Sequence, residues 1–262
     1  MLSGINALRR GFAIGALFLI GGPFEAVADA LPHPHLILAY SRGQVAARVN
    51  GVPVLAAGEA VSAEFVTASS TMDLAPWLRS GENTIEVDFR RKLSGELSLT
   101  VEIVDDPTAM TPTLLAEGKS AKEGTTTLTL SVEMPLWAMY DAAVVANPAP
   151  EVTAAVKELR SVMEAKDAKA FHAKFEIFER EMVEMYGDAF AEFSRGVDDM
   201  VRTATLKPMP KLVVKTFLDG RLVQVTGEDG AAPVRATTPN DETLELGQWW
   251  AKVNGVWQIV RT

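Results

Sequence analysis

The sequence predicts two domains, an all-β sandwich in the N-terminal part and an α+β domain in the C-terminal part. Three observations carry this. Short apolar alternations recur from His35 to about Val104, separated by Gly and Asn turns. The stretch NPAPEV, Asn147 to Val152, places two prolines where a strand must stop and a helix can start. Beyond it the apolar period changes from two residues to about 3.6, and strands return only near the C-terminus. The chain of 262 residues has room for one or two domains, and its 48% hydrophobic share is ordinary for a packed globular protein.

The first thirty residues stand apart. MLSGINALRR ends in Arg9 and Arg10, the apolar run GFAIGALFLIGG follows, and Ala28-Asp29-Ala30 matches the small-x-small cleavage rule. Residues 1–30 therefore read as a secretory signal peptide, with the mature chain starting at Leu31 in the periplasm or outside the cell. The alternative is an uncleaved N-terminal anchor. No later apolar run is long enough for a membrane span. The chain has no cysteine, which excludes a lipid-modified cysteine, a disulfide framework and a thiolate nucleophile or metal ligand. Its net charge of -9 is unfavourable for binding nucleic acid. The basic triplet Arg90-Arg91-Lys92 reads as a solvated turn. The mature N-terminus LPHPH cannot form an amino-terminal copper site, because Pro32 has no amide proton to lose. His33 and His35 are expected in a disordered leader, and neither metal nor cofactor is expected.

In the first domain HLILAY, QVAARVNG, VPVLA and AEFVTA are β-like. ENTIEVDF alternates with Ile85, Val87 and Phe89 on one face, and ELSLTVEIV with Leu97, Leu99, Val101 and Ile103. TTTLTLSVEMPLW adds strand beyond the PTAMTPT loop. Strands at this spacing predict a β-sandwich over 31–146. Asp73 can cap a short helical turn. Leu74, Trp77 and Leu78 can plug the end of the sandwich, with Gly81 and Asn83 forming the turn into the next strand. ARVNGVPV followed by MDLAPWLRSGENTIEVDF resembles the galactose-binding-like jelly-roll modules attached to many exported glycosidases. The resemblance covers Gln44 to about Val104. It implies a jelly-roll-like sandwich and leaves sugar binding open, since this corner is structural. Trp77 reads as core.

After the linker at 147–152, the second domain spans 153–262. One helix carries the stripe Val152, Val156, Leu159, Val162, Met163, and the next carries Phe171, Phe175, Phe178, Met182, Met185. Asp167 is the expected N-cap between them. Gly187 ends the second helix, and Asp188 caps a third whose buried face is Phe190, Phe193, Val197 and Met200. KLVVKTFL and RLVQVTG meet across Asp219-Gly220, and TLELGQWWAKV and VWQIVR across Asn254-Gly255, both read as two-residue hairpins. The last hairpin, through Trp250, Lys252, Val253, Gly255, Trp257 and Ile259, resembles that of the nuclear-transport-factor-like superfamily, which includes SnoaL-type and ketosteroid-isomerase-type proteins. AVKELRSVMEAKDAKAF resembles its first helix. This likeness implies a cone of three helices on a curved antiparallel sheet with a pocket between them.

Enzymes of that superfamily place an Asp or His base in an apolar cone. Here His172 is the domain's one histidine, one residue off the phenylalanine stripe and within reach of Glu176. It reads as a rim histidine, and Asp198 and Asp199 read as solvated. Nucleotide loops, metal signatures and hydrolase elbows are all absent. No catalytic residue is assigned. The candidate pocket or interface residues are Trp249, Trp250, Trp257, His172 and Lys252.

Three of the five tryptophans fall between Trp249 and Trp257. A two-residue turn at Asn254-Gly255 pairs Val253 with Val256, Lys252 with Trp257, Ala251 with Gln258, Trp250 with Ile259 and Trp249 with Val260. One face then carries Trp250, Trp257, Ile259, Lys252 and Arg261, with the Lys and Arg stems lying over the rings. Both faces are expected to be covered, one by the domain's helices, the other by a partner or by the N-terminal sandwich. The leading functional expectation is an exported, non-catalytic binding protein whose partner is an envelope protein, a glycan or a small apolar ligand. The alternatives are an isomerase, dehydratase or hydrolase acting in the cone, and an assembly protein dimerising through the C-terminal sheet.

Overall fold

The computed structural model describes residues 31–57, 61–62, 65–241 and 243–262, with the side chains at 188, 189 and 191–195 left out. The expected signal peptide over 1–30, the Asp188 cap, the Phe193 position and part of AEFVTA lie outside the described residues. No helix among the described residues is long and apolar enough to cross a membrane. The described chain forms four antiparallel sheets and a few helices, divided into two compact units, 31–140 and Asp141–Thr262.

The first unit is built from strands alone apart from short turns. Its strands are β1 (His35–Ser41), β2 (Gly43–Val49), β3 (Val52–Ala57), β4 (Thr67–Asp73), β5 (Gly81–Arg91), β6 (Ser98–Val104), β7 (Leu114–Ser120) and β8 (Gly124–Val132). They form two four-stranded sheets, β4-β1-β6-β7 and β3-β2-β5-β8. Alternation sets one face of each: Leu36, Leu38 and Tyr40 of β1 and Leu99, Val101 and Ile103 of β6 are buried, as are Val45, Ala47 and Val49 of β2 and Ile85, Val87 and Phe89 of β5. Burying each large side chain contributes roughly 1.5–3 kcal/mol. At Gly118 of β7 a Cβ would lie 2.6 Å from Thr126 and 3.3 Å from Leu128 of β8, so the two edge strands approach more closely than a side chain allows. This layout is compatible with a β-sandwich.

The corner at 73–83 follows the expected logic. The Asp73 carboxylate accepts from the Ala75 amide at 2.8 Å, and Leu74, Trp77 and Leu78 are buried. Asn83 does more than turn the chain. It is fully buried; its Oδ1 accepts from the Arg79 amide (2.9 Å) and from Asn50 Nδ2 (2.8 Å), and its Nδ2 donates to the carbonyls of Arg79 (2.8 Å) and Gly81 (3.0 Å). Trp137 Nε1 donates to Ala75 O at 3.1 Å, and the Tyr140 hydroxyl donates to Trp77 O. The N-terminal leader is not the disordered segment expected. His35 opens β1, and His33 Nδ1 lies 3.2 Å from Asp73 Oδ2, the carboxylate oxygen the Ala75 amide does not use.

The second unit begins its helices inside the predicted linker. Helix α1 (Ala138–Asp141) precedes it; α2 (Ala149–Glu164), α3 (Ala168–Tyr186) and α4 (Asp188–Thr203) follow. Asp167 caps α3 as expected, accepting from the Ala170 amide at 3.0 Å. Gly187, with φ of 59°, separates α3 from α4. Two stripe positions need correction: Val162 is only half-buried, and Val201, one turn after Val197, takes the buried position assigned to Met200.

The strands of this unit do not join in one sheet. β10 (Leu212–Phe217), β11 (Leu222–Gly227), β14 (Trp249–Val253) and β15 (Val256–Arg261) form a sheet ordered β10-β11-β14-β15. β9 (Thr205–Leu206), β12 (Val234–Thr237) and β13 (Thr243–Leu246) form a second, ordered β13-β12-β9. The chain leaves one for the other at Gly247, whose φ of 74° breaks the extended run. The hairpin at Asp219-Gly220 is also wider than expected. Phe217 pairs with Leu222, and Leu218, Asp219 and Gly220 all have positive φ. The cause is tertiary: the Val145 amide donates to Gly220 O at 3.1 Å, so the segment before α2 lies against this turn.

Replacing Asn83 with Ala removes four hydrogen bonds from a closed corner and leaves main-chain groups buried without them. The expected loss is about 3 kcal/mol, read by urea unfolding of the whole chain. An unfolding curve superimposable on the wild type would remove Asn83 from this role.

Candidate functional site

The candidate residues gather on the β14–β15 hairpin and on α3. Asn254 and Gly255 take φ of 50° and 79° and close a two-residue turn. From it Val253 pairs with Val256, Lys252 with Trp257, Ala251 with Gln258 and Trp250 with Ile259, as strict alternation predicts. The fifth pair departs: Trp249 lies opposite Arg261, with a register shift between Trp249 and Trp250. Val260 is therefore an extra residue in β15, a β-bulge. The bulge moves Arg261 from the face of Trp250 and Trp257 to the face of Trp249.

That displacement decides what Arg261 does. It does not lie over the indole rings at a wet edge. Its side chain is 2% exposed and donates through Nη1 to Glu181 Oε2 of α3, whose side chain is 3% exposed. Gln258 makes a second tie to α3: in the amide orientation its surroundings require, Nε2 donates to the carbonyls of Ala173 (3.1 Å) and Lys174 (3.2 Å). The opposite face meets α2. Glu151 Oε2 accepts from Lys252 Nζ at 2.6 Å and from Trp257 Nε1 at 3.0 Å. These two bonds, the lysine's first, hold the Glu151 carboxyl below the usual carboxylate range. Gly247 sits between Leu159 of α2 and the Trp250 ring, and the Trp250 indole donates to Gly247 O at 2.5 Å.

Both faces of the hairpin are thus met by helices of the same unit, α2 on one and α3 on the other. Trp249 and Trp250 are 4% and 0% exposed, and Trp257 is buried. Trp249 also packs edge-on against Phe217 of β10, with ring centroids 5.5 Å apart. On the face for which a partner or the N-terminal sandwich was expected, α2 contributes Glu151 and Leu159.

His172 lies on α3 and bonds to side chains of α3 and α4. Its partner is not Glu176. Nδ1 lies 2.5 Å from Glu179 Oε1, two turns along α3, and Nε2 lies 2.9 Å from Asp198 Oδ1 of α4. Asp198 also takes Arg202 Nη2 at 3.3 Å. An ionised carboxylate only accepts, so this geometry calls for donors at both ring nitrogens, the imidazolium form. Burial, the largest influence, lowers the His172 pKa, but Asp198 and Glu179 together outweigh it and leave the value above 6.5. Among the described residues no group of three or more His, Asp or Glu is arranged to hold a metal ion.

The glutamates of α3, namely Glu176, Glu179, Glu181 and Glu184, read from the sequence as the exposed face of an amphipathic helix, and the structure overturns that for Glu181, whose side chain is 3% exposed. Its signal was present: it lies three residues after Phe178 and four before Met185, on the stripe that α3 buries. A carboxylate in an apolar stripe needs a buried cation, and the bulge supplies it.

Gly247 combines a left-handed φ with contact on both sides; an added Cβ would lie 3.2 Å from Leu159 and 3.2 Å from Trp250. Gly247→Ala is expected to destabilise the protein by about 1–3 kcal/mol and to shift the tryptophan emission. A variant with wild-type stability would contradict the packing described. No family model matches the chain, and neither does any curated protein or solved structure.

Proposed function

We propose that the protein is an exported binding or interaction protein without catalysis, in which a jelly-roll-like β-sandwich precedes a nuclear-transport-factor-like α+β domain. The observation that carries this reading is the occupation of His172 at both nitrogens by carboxylates of its own chain. A general base needs one nitrogen directed at substrate. The tryptophans support the same reading, because they are buried and the indole N–H groups of Trp250 and Trp257 donate to Gly247 and Glu151. The charged, apolar and small-residue pattern of residues 1–30 supports export, and the pairing of two four-stranded sheets supports the sandwich. The partner on this reading is an envelope protein, a glycan or a small apolar ligand.

One observation favours a second reading, an isomerase, dehydratase or hydrolase. The Glu181–Arg261 pair is buried next to Trp249, and the resemblance to the superfamily implies chemistry in such an apolar interior. Purified mature protein assayed against substrates of these three classes separates the two readings. The binding reading expects no turnover, together with retention of an envelope protein or glycan. Turnover that disappears in Glu181→Gln or His172→Gln establishes the enzyme reading instead.

A further inference from the structure

The His172 site joins α3 to α4 through a single titratable side chain. We propose that His172 is a protonation-dependent clamp: charged, it ties the C-terminal half of α4 to α3 through Asp198, and neutral, it gives up that bond and loosens the half. Its surroundings determine which bond is lost. A neutral imidazole donates from one nitrogen only. Glu179 lies on the same helix as His172 and stays beside it whatever α4 does, at 2.5 Å. Asp198 lies on the other helix and has a second partner in Arg202. Deprotonation therefore leaves the ring bonded to Glu179, turns a lone pair toward Asp198, and breaks the bond between the helices.

Among the described side chains, few charged groups surround the ring. On α3 they are Glu179 and, one turn away, Glu176; on α4 they are Asp198, with Arg202 bridging it to Asp199. Elements packed on other sides of α3 direct their charges elsewhere: Glu158 of α2 pairs with Lys174, and Arg261 of β15 with Glu181. Lys166, before α3, donates to Ala204 O at the end of α4. The ring itself is 30% exposed, so protons reach it without global unfolding. The start of α4 is anchored separately, by Phe190 against Phe178 with centroids 5.7 Å apart. The half that carries Asp198 is held as well by the buried Val197 and Val201 and by Lys166 on Ala204 O, so losing the His172 bond loosens that half without freeing it.

The direction follows from linkage. The His172 pKa is raised in the folded protein, so the clamp is fully present below the unfolded value of 6.5 and is lost as pH rises through the folded value. The closing equilibrium weakens about tenfold for each unit by which the folded value exceeds the unfolded one.

Nitrogen-edited imidazole spectra and hydrogen exchange on the full mature chain test this. The expected results are a His172 midpoint above 6.5, protons on both ring nitrogens below it, and a fall in exchange protection from Gly196 to Thr203 as pH passes that midpoint, after correction for intrinsic exchange. Asp198→Asn should lower the midpoint and shrink the pH dependence, and His172→Gln should abolish it; His33→Gln should change neither. The wild-type titration and exchange decide the matter even if a variant fails to fold. A midpoint at or below 6.5, or protection in α4 that does not change across it, overturns the proposal.

Discussion

The C-terminal unit depends on one inserted residue. Val260 breaks the alternation of β15, and the break turns Arg261 toward Glu181. Without it, Arg261 would share the face of Trp250 and Trp257, which α2 already meets through Glu151 and Leu159. Glu181 would then be a carboxylate buried among phenylalanines and methionines with its described cation gone. The two ties from β15 to α3, Gln258 and Arg261, lie on one face because of this bulge. The bulge thus lets two helices cover a hairpin that carries tryptophan on both faces.

Two of the charged links of α3 differ in kind. Glu181–Arg261 is out of water, where breaking a pair by removing one partner costs about 3–5 kcal/mol. Guanidinium keeps its charge at any pH a cell meets, so the arginine side of this link does not titrate. The His172 bridge is partly exposed and formed by the side chain whose charge changes nearest neutrality. One link fixes α3 on the sheet; the other holds α4 in a way that pH can change. Neither resembles a base poised for substrate, which is why the binding reading takes precedence over catalysis.

Much of the fold was legible because local chemistry determined it. Asn50-Gly51 and Asn254-Gly255 form their turns with positive φ at both positions, and Asp167 caps α3, each from residues adjacent in sequence. The 73–83 corner was legible in outline, though not the fourfold bonding of Asn83, which requires Asn50 from the turn between β2 and β3. The failures share a cause. The wider turn at 218–221 is held by Val145, and the buried Glu181 is matched by a residue eighty positions away in a strand whose register alternation cannot predict. Val260 carries no local signal, since a β-branched residue suits a regular strand equally well. His172 was placed correctly at the edge of the α3 stripe, but its partner Asp198 comes from α4, beyond what i+4 spacing reveals.

A double-mutant cycle on Glu181 and Arg261, read by urea unfolding of the full chain, tests the bulge-built link most directly. Glu181→Met and Arg261→Met should each destabilise the protein by about 3–5 kcal/mol, and the double variant should recover most of that loss. Additive single effects, with no recovery in the double variant, would show that the two side chains are not coupled and would contradict the account.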